Sequence, residues 1–162
     1  MSDATRDDGD LGPLLARLQA GETVEGDGIG MPTGGFDDRV LGIVFDRVSF
    51  DRLEAHLEIT PTLHQPYGIV HGGVWCAVIE TLASMAAALR AAEHGRLCVG
   101  VANATDFLRA HREGRVDGVA TPIHVGRSQQ LWQVVLTRAS DGRTVARGQV
   151  RLQNVDPAQI GG

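Results

Sequence analysis

Glu80 is the residue of this chain that most needs a physical reason. It lies within Gly73–Leu89, a run apolar or small on nearly every side, where Glu80, Thr81 and Ser84 are the clearly polar positions. A segment that is hydrophobic all round reads as a buried helix. Taking an unpaired carboxylate out of water is costly unless it is paired, hydrogen-bonded or protonated. Upstream, Pro66, Gly68, Gly72 and Gly73 break the chain where that helix should begin. Glycine there lets a ligand approach closely, and the first N–H groups of a helix have no intrahelical acceptor. Those donors and the helix dipole favour a negatively charged oxygen. Glu80 follows Gly72 by about two turns, and Ser84 stands one turn further along the same stripe. An oxyanion-stabilising helix start, a carboxylate and a hydroxyl on one side suit hydrolytic attack on a carbonyl.

Composition narrows what that chemistry could serve. A chain of 162 residues suits one domain, or one domain with a tail. Its 43% hydrophobic content can build a core, and 4% aromatic residues make that core aliphatic. A net charge of −5 gives no case for general nucleic-acid binding, which usually shows a basic surface. Cys76 and Cys98 sit in apolar segments without metal-ligand spacing, and read as reduced core residues of a cytoplasmic protein. The opening MSDATRDDGD is the opposite of a basic-then-apolar signal peptide. Glu80 inside the apolar run, with Arg90 and Glu93 after it, argues against a membrane span. The sequence has no P-loop, no Rossmann glycine pattern in strand context, no zinc spacing and no nucleophile elbow. Neither a metal nor a cofactor is expected.

The elements that must position these residues follow from the hydrophobic period. Residues 1 to about 10 read as a disordered acidic tail. Leu11, Leu14, Leu15 and Leu18, with Pro13 near the start, predict a short amphipathic helix over 11–20. Gly21 to Gly35 holds six glycines and a proline and reads as a loop. Its Met31, with Phe36 after it, either packs over a site entrance or belongs to a connector crossing the surface. Strands are expected at Arg39–Ser49 and Arg52–Ile59, with His56 on the solvent side of the second. A loop from Thr60 to Val70 leads into the helix, which should stop near His94-Gly95. Four strands follow at Arg96–Leu108, Arg115–His124, Gln129–Ala139 and Thr144–Leu152, the last two joined by an Asp-Gly hairpin. This order predicts an α+β domain in which one antiparallel sheet wraps a central helix. Exposed edges of such a sheet are commonly closed by pairing into dimers.

Taken together, Gln65, His71-Gly72-Gly73, Glu80 and Ser84 resemble the hotdog-fold acyl-CoA thioesterases. The likeness is to the branch of the phenylacetate-degradation (PaaI) and hydroxybenzoyl-CoA thioesterases. It covers about residues 36–154, leaving 1–35 as an N-terminal tail, short helix and glycine-rich loop, and 155–162 as a C-terminal tail. The resemblance implies that Glu80 is the catalytic carboxylate and that the Gly72 N–H polarises the thioester carbonyl. It makes Gln65 and His71 polar groups at the helix start, and places Ser84 where some relatives carry Thr. Gly73 and Asn103 would contact substrate, with Asp106 on the same strand as Asn103. Gly126-Arg127-Ser128 resembles the segment that family members use against the pantetheine and nucleotide of coenzyme A. Arg127 supplies a fork-shaped donor suited to phosphate, with Ser128 beside it and Arg147 and Arg151 as further candidates. Plainer roles stand beside these: a structural acid for Glu80, an N-cap for His71, a small packing residue for Ser84. Arg127 could equally be an exposed turn arginine, and His64 a solvated loop residue.

The activity so implied is hydrolysis of an acyl-CoA thioester to free acid and coenzyme A. Glu80 would act as general base on water or as a nucleophile forming a mixed anhydride. The resemblance also implies a homodimer or dimer of dimers with its site at the subunit interface, and charge and composition add neither nucleic acid nor membrane as a partner. The helix start and Glu80 of one site would then come from different subunits. Two alternatives share the fold. A hydratase or dehydratase of hydroxyacyl thioesters opens its helix with Pro-Gly, where this chain has His71-Gly72-Gly73. A non-catalytic acyl-CoA-binding regulator carries a helix-turn-helix ahead of the domain, where residues 1–35 offer one short helix.

Overall fold

The computed structural model describes residues 11–31 and 35–159. The acidic stretch 1–10 and residues 160–162, which belong to the two expected tails, lie outside them. The first helix, α1 (Gly12–Gln19), buries Leu14 and Leu18 on one face, as their spacing requires. The glycine-rich segment after it is more than a loop. It contains a two-residue strand, β1 (Val24–Glu25), paired with Arg47 and Val48 of the strand that follows, and it buries Ile29 and Met31. Phe36 points outward and is 55% exposed, so Met31 and Phe36 do not act together.

The next strand starts later than its composition suggests. Phe36–Val40 forms a wide helical turn in which the Leu41 N–H donates to the Phe36 carbonyl. Only Val44–Ser49 is strand, β2. The cause lies in another element: Thr81 Oγ1 of the long helix donates to Asp37 Oδ1 at 2.7 Å. A tertiary bond made at a buried threonine here overrides the β propensity of residues 39–43. β3 (Arg52–Ile59) turns Leu53, Ala55, Leu57 and Ile59 inward, and is joined to β2 through Phe50-Asp51. His56 is half-buried rather than simply solvated, its Nδ1 lying 2.8 Å from Asp46 Oδ2.

The long helix, α2 (Gly72–Ala92), is followed by Gly95 in the left-handed region at φ 65°, which ends it where the glycine predicts. β4 (Leu97–Phe107), β5 (Gly114–Val125), β6 (Gln129–Arg138) and β7 (Thr144–Val155) complete one antiparallel sheet, ordered β1-β2-β3-β5-β6-β7-β4. The helix packs against β3 to β7. Burying Ile79 and Leu82 completely contributes about 1.5–3 kcal/mol each. That outweighs the roughly 1 kcal/mol that a glycine costs a helix, so packing holds α2 in place despite its Gly-Gly start.

Burial of α2 is one-sided. Trp75, Val78, Ile79, Leu82, Ala86 and Leu89 are buried, whereas Cys76, Ala77, Glu80, Ser84, Met85 and Ala88 are only half-buried. The half-buried face lies beside β4, the last strand of the sheet. β4 pairs with β7 along one edge alone, and Leu97, Val99, Val101 and Phe107 are between 39% and 58% exposed. The helix is long and apolar enough to cross a membrane by composition, but its buried face is packed against its own sheet.

Candidate active site

The carboxylate of Glu80 is held by one donor on each oxygen. Ser84 Oγ donates to Oε1 at 3.2 Å, one turn along α2. Asn103 Nδ2 donates to Oε2 at 2.9 Å from β4, and also reaches the Cys76 carbonyl at 3.1 Å. Thr105 Oγ1 donates to Asn103 Oδ1 at 2.7 Å and so fixes which way the amide faces. The carboxylate lies directly over Gly100, where a β carbon would collide with Oε1. The register of β4 slips between Gly100 and Ala102, which bends the strand beside the carboxylate. Glu80, Ser84 and Asn103 thus form one cluster, with Thr105 behind Asn103. Sequence reading missed Thr105, although its i+2 spacing from Asn103 on a strand puts the two on one face.

The helix start forms a second cluster. His71 caps α2: its Nδ1 accepts the Gly73 N–H at 2.9 Å, and its backbone carbonyl accepts from Val74. Of the two roles weighed for His71, the N-cap is the one its geometry fills. Among the described residues the Gly72 N–H meets no acceptor. Gly72 and Gln65 line a cavity of about 240 Å³ whose other walls include Val70, Trp75, Phe107 and His111. The Phe107 ring lies about 3.2 Å from where a Gly72 β carbon would stand, so glycine here also makes room for an aromatic ring. Burial holds the His111 imidazole below its ordinary range, with the Gly114 carbonyl opposing that shift. His64, whose Nε2 lies 2.6 Å from the Arg112 carbonyl, helps tie the loop before α2 to the β4–β5 loop.

These two clusters belong to one helix and lie well apart along it. Eight residues separate Gly72 from Glu80, which is about 12 Å along the axis. A carbonyl held at Gly72 is therefore out of reach of the same chain's Glu80.

Arg127 and Ser128 sit elsewhere, in the exposed turn between β5 and β6 at the carboxyl-terminal end of α2. Arg147 is exposed and its Nε lies 3.3 Å from Asp106 Oδ2, so that pair is occupied with itself. Arg151 lines a separate cavity with Ala102, Ala104 and His124. Cys98 lies close enough to Glu80 to feel its charge. Burial first, and that charge second, push the thiol up to about 11, which leaves it neutral and non-nucleophilic near pH 7. Among the described residues no three His, Cys, Asp or Glu side chains converge as a metal-ligand set.

Known proteins share both the sequence and the architecture. The profile of the Thioesterase superfamily matches residues 67–145. The candidate esterase Rv1847 of Mycobacterium tuberculosis is 50% identical over 121 residues, covering 74% of this chain and 86% of that protein. Its solved structure superposes with a TM-score of 0.71 at 49% identity, covering 74% of this chain and 96% of the other. The proofreading thioesterase EntH of Cronobacter sakazakii is 42% identical over 96 residues, 59% of this chain and 69% of its own length. The Escherichia coli PaaI protein is 18% identical with a TM-score of 0.67, covering 75% of this chain and 86% of that one, a likeness of fold.

Proposed function

This chain belongs to the thioesterase superfamily with the hotdog fold, and from that we propose that it hydrolyses an acyl-CoA thioester to the free acid and coenzyme A. The observation that carries the reading is the pair of clusters on α2. One end offers a backbone N–H that meets no acceptor among the described residues, in a small cavity, and the middle offers a carboxylate held by two donors. The first suits the oxygen of a thioester as it gains charge in the transition state. The second suits removal of a proton from water.

In this reading Glu80 is the general base, its two oxygens oriented by Ser84 and Asn103. Water loses its proton to Glu80 and attacks the thioester carbonyl, the oxyanion forms against the Gly72 N–H, and on its collapse the carbon–sulfur bond breaks, the departing thiolate taking the proton back from Glu80. Gln65 holds the thioester oxygen or the water, and Ser84 and Asn103 orient Glu80. Arg127 meets the phosphates of coenzyme A, with Ser128 and Gly73 along the substrate path. The 12 Å gap along α2 makes a site within one chain incomplete. A homodimer, formed as two β4 edges pair across a twofold axis, supplies Gly72 from one subunit and Glu80 from the other.

Release of free thiol from a panel of short, branched, long and aromatic acyl-CoA thioesters tests the activity. Turnover of at least one class is expected, and none across the panel would overturn it. Trapping an enzyme-bound acyl group with hydroxylamine would overturn the general-base assignment in favour of a mixed anhydride.

A further inference from the structure

We infer that Asn154 and Gln130 are positioning residues for substrate binding, holding the Gly126–Ser128 turn, and so Arg127, against the carboxyl-terminal end of α2. This rests on the reading of Arg127 as a phosphate contact. The turn joins two long strands, and its own closing bond is Gly126 N–H to the Gln129 carbonyl at 2.8 Å. Three further bonds come from one residue of β7. Asn154 Nδ2 donates to the carbonyls of Gly126 at 3.0 Å and Arg127 at 3.3 Å, and its backbone N–H donates to Ser128 O at 2.9 Å.

Asn154 is in turn fixed from below. Gln130 Nε2 donates to Asn154 Oδ1 at 2.8 Å and to the Ala87 carbonyl of α2 at 3.0 Å. Trp132 Nε1 donates to Gln130 Oε1 at 2.8 Å, and Gln130 and Trp132 are 1% and 0% exposed. Both amides therefore have each N–H and at least one oxygen lone pair engaged. A fully satisfied buried network specifies geometry more than it adds stability. The geometry it specifies is the distance between the turn and the helix end. Between them lies a cavity of about 510 Å³ walled by Arg90, His94, Arg96 and Arg127, with Gln130 and Asn154 among its lining residues. Arg96 Nη1 also donates to the Arg127 carbonyl at 3.3 Å. Such a cavity fits the phosphate-bearing part of a coenzyme A thioester.

The test compares Asn154→Ala, Arg127→Ala and the double variant on an active acyl-CoA and on the same acyl group carried by pantetheine. Each single change should raise KM for the CoA thioester about fivefold, leaving kcat within about twofold and KM for the pantetheine thioester unchanged. The double variant should show no more than the larger single effect, because Asn154 acts through Arg127. Should Asn154→Ala fail to fold, Gly126→Ala serves instead. Its added carbon would stand 3.1 Å from the Gln129 carbonyl, which presses on the turn's own closing bond, and 2.7 Å from His124 Nε2, an exposed ring that can swing aside. An equal loss on both substrates, additive effects, or an unchanged KM in the Asn154 and Gly126 variants while Arg127→Ala raises it would overturn the inference alone. An unchanged KM in Arg127→Ala would overturn the phosphate reading and the inference with it.

Discussion

At the scale of single residues, the proposed reaction turns on how Glu80 is held. Replacing it with Gln keeps the size and removes the proposed base, so kcat should fall at least about a hundredfold, with little change in thermal stability. Steady-state kinetics and a melting curve check this, and near-wild-type turnover would remove Glu80 from the mechanism. Asn103→Ala takes away the donor on Oε2 and should lower kcat by about tenfold, the scale of one hydrogen bond to a charged group. Cys98 reports on the same carboxylate. With its thiol pushed up to about 11, its alkylation in a Cys76→Ser background should follow a midpoint near that pH. Glu80→Gln should move the midpoint down, because a negative neighbour has been removed. The unfolded thiol ionises first, so the folded thiol's contribution to stability is whole below about pH 9 and is lost as pH rises towards 11. A midpoint unchanged by Glu80→Gln would separate the two groups.

At the scale of elements, most of the architecture was legible because most of it is written in period. α2, β3 and the four later strands carry long apolar patterns that local composition suffices to read. The failures are places where a distant residue decides. Val24-Glu25 is strand because β2 lies beside it, and residues 36–40 form a turn because Asp37 meets Thr81. Of the site, Glu80, Ser84 and the Gly-Gly helix start stood out by spacing on one element. Asn103 entered through the family resemblance alone, because its bond to Glu80 depends on how β4 lies against α2. Thr105, Gln130 and Asn154 were not singled out, since nothing along the chain marks a polar residue as part of a buried network. β4 also carries the element-scale prediction. Val99→Lys places a charge on an exposed apolar edge. It should yield a folded monomer with little activity, by light scattering, circular dichroism and thiol release; a fully active dimer would rule out pairing through β4.

At the scale of the whole molecule, the gap between Gly72 and Glu80 makes a prediction about mixtures. Gly72→Pro deletes the N–H proposed to hold the oxyanion. Proline suits the first helical position, and His71 before it already has φ −66° and ψ 136°, which a following proline allows. The Phe107 ring, which lies against Gly72, must yield slightly. Gly72→Pro and Glu80→Gln should each be inactive alone. Unfolded and refolded together in equal amounts, half of their dimers should be mixed, each with one intact site of two, restoring about a quarter of wild-type turnover. No recovery from a mixture shown to contain mixed dimers would place both groups in one subunit's site.

The strand that carries Gly100, Asn103 and Thr105 is also the strand left open at the edge of the sheet. If that edge is where two copies meet, a freshly made chain can reach its native shape and still be chemically silent. Hydrolytic power would then appear with the square of concentration while chains are scarce. Thioesters near a lone or half-made copy would be spared, and the enzyme would switch on when it meets its double.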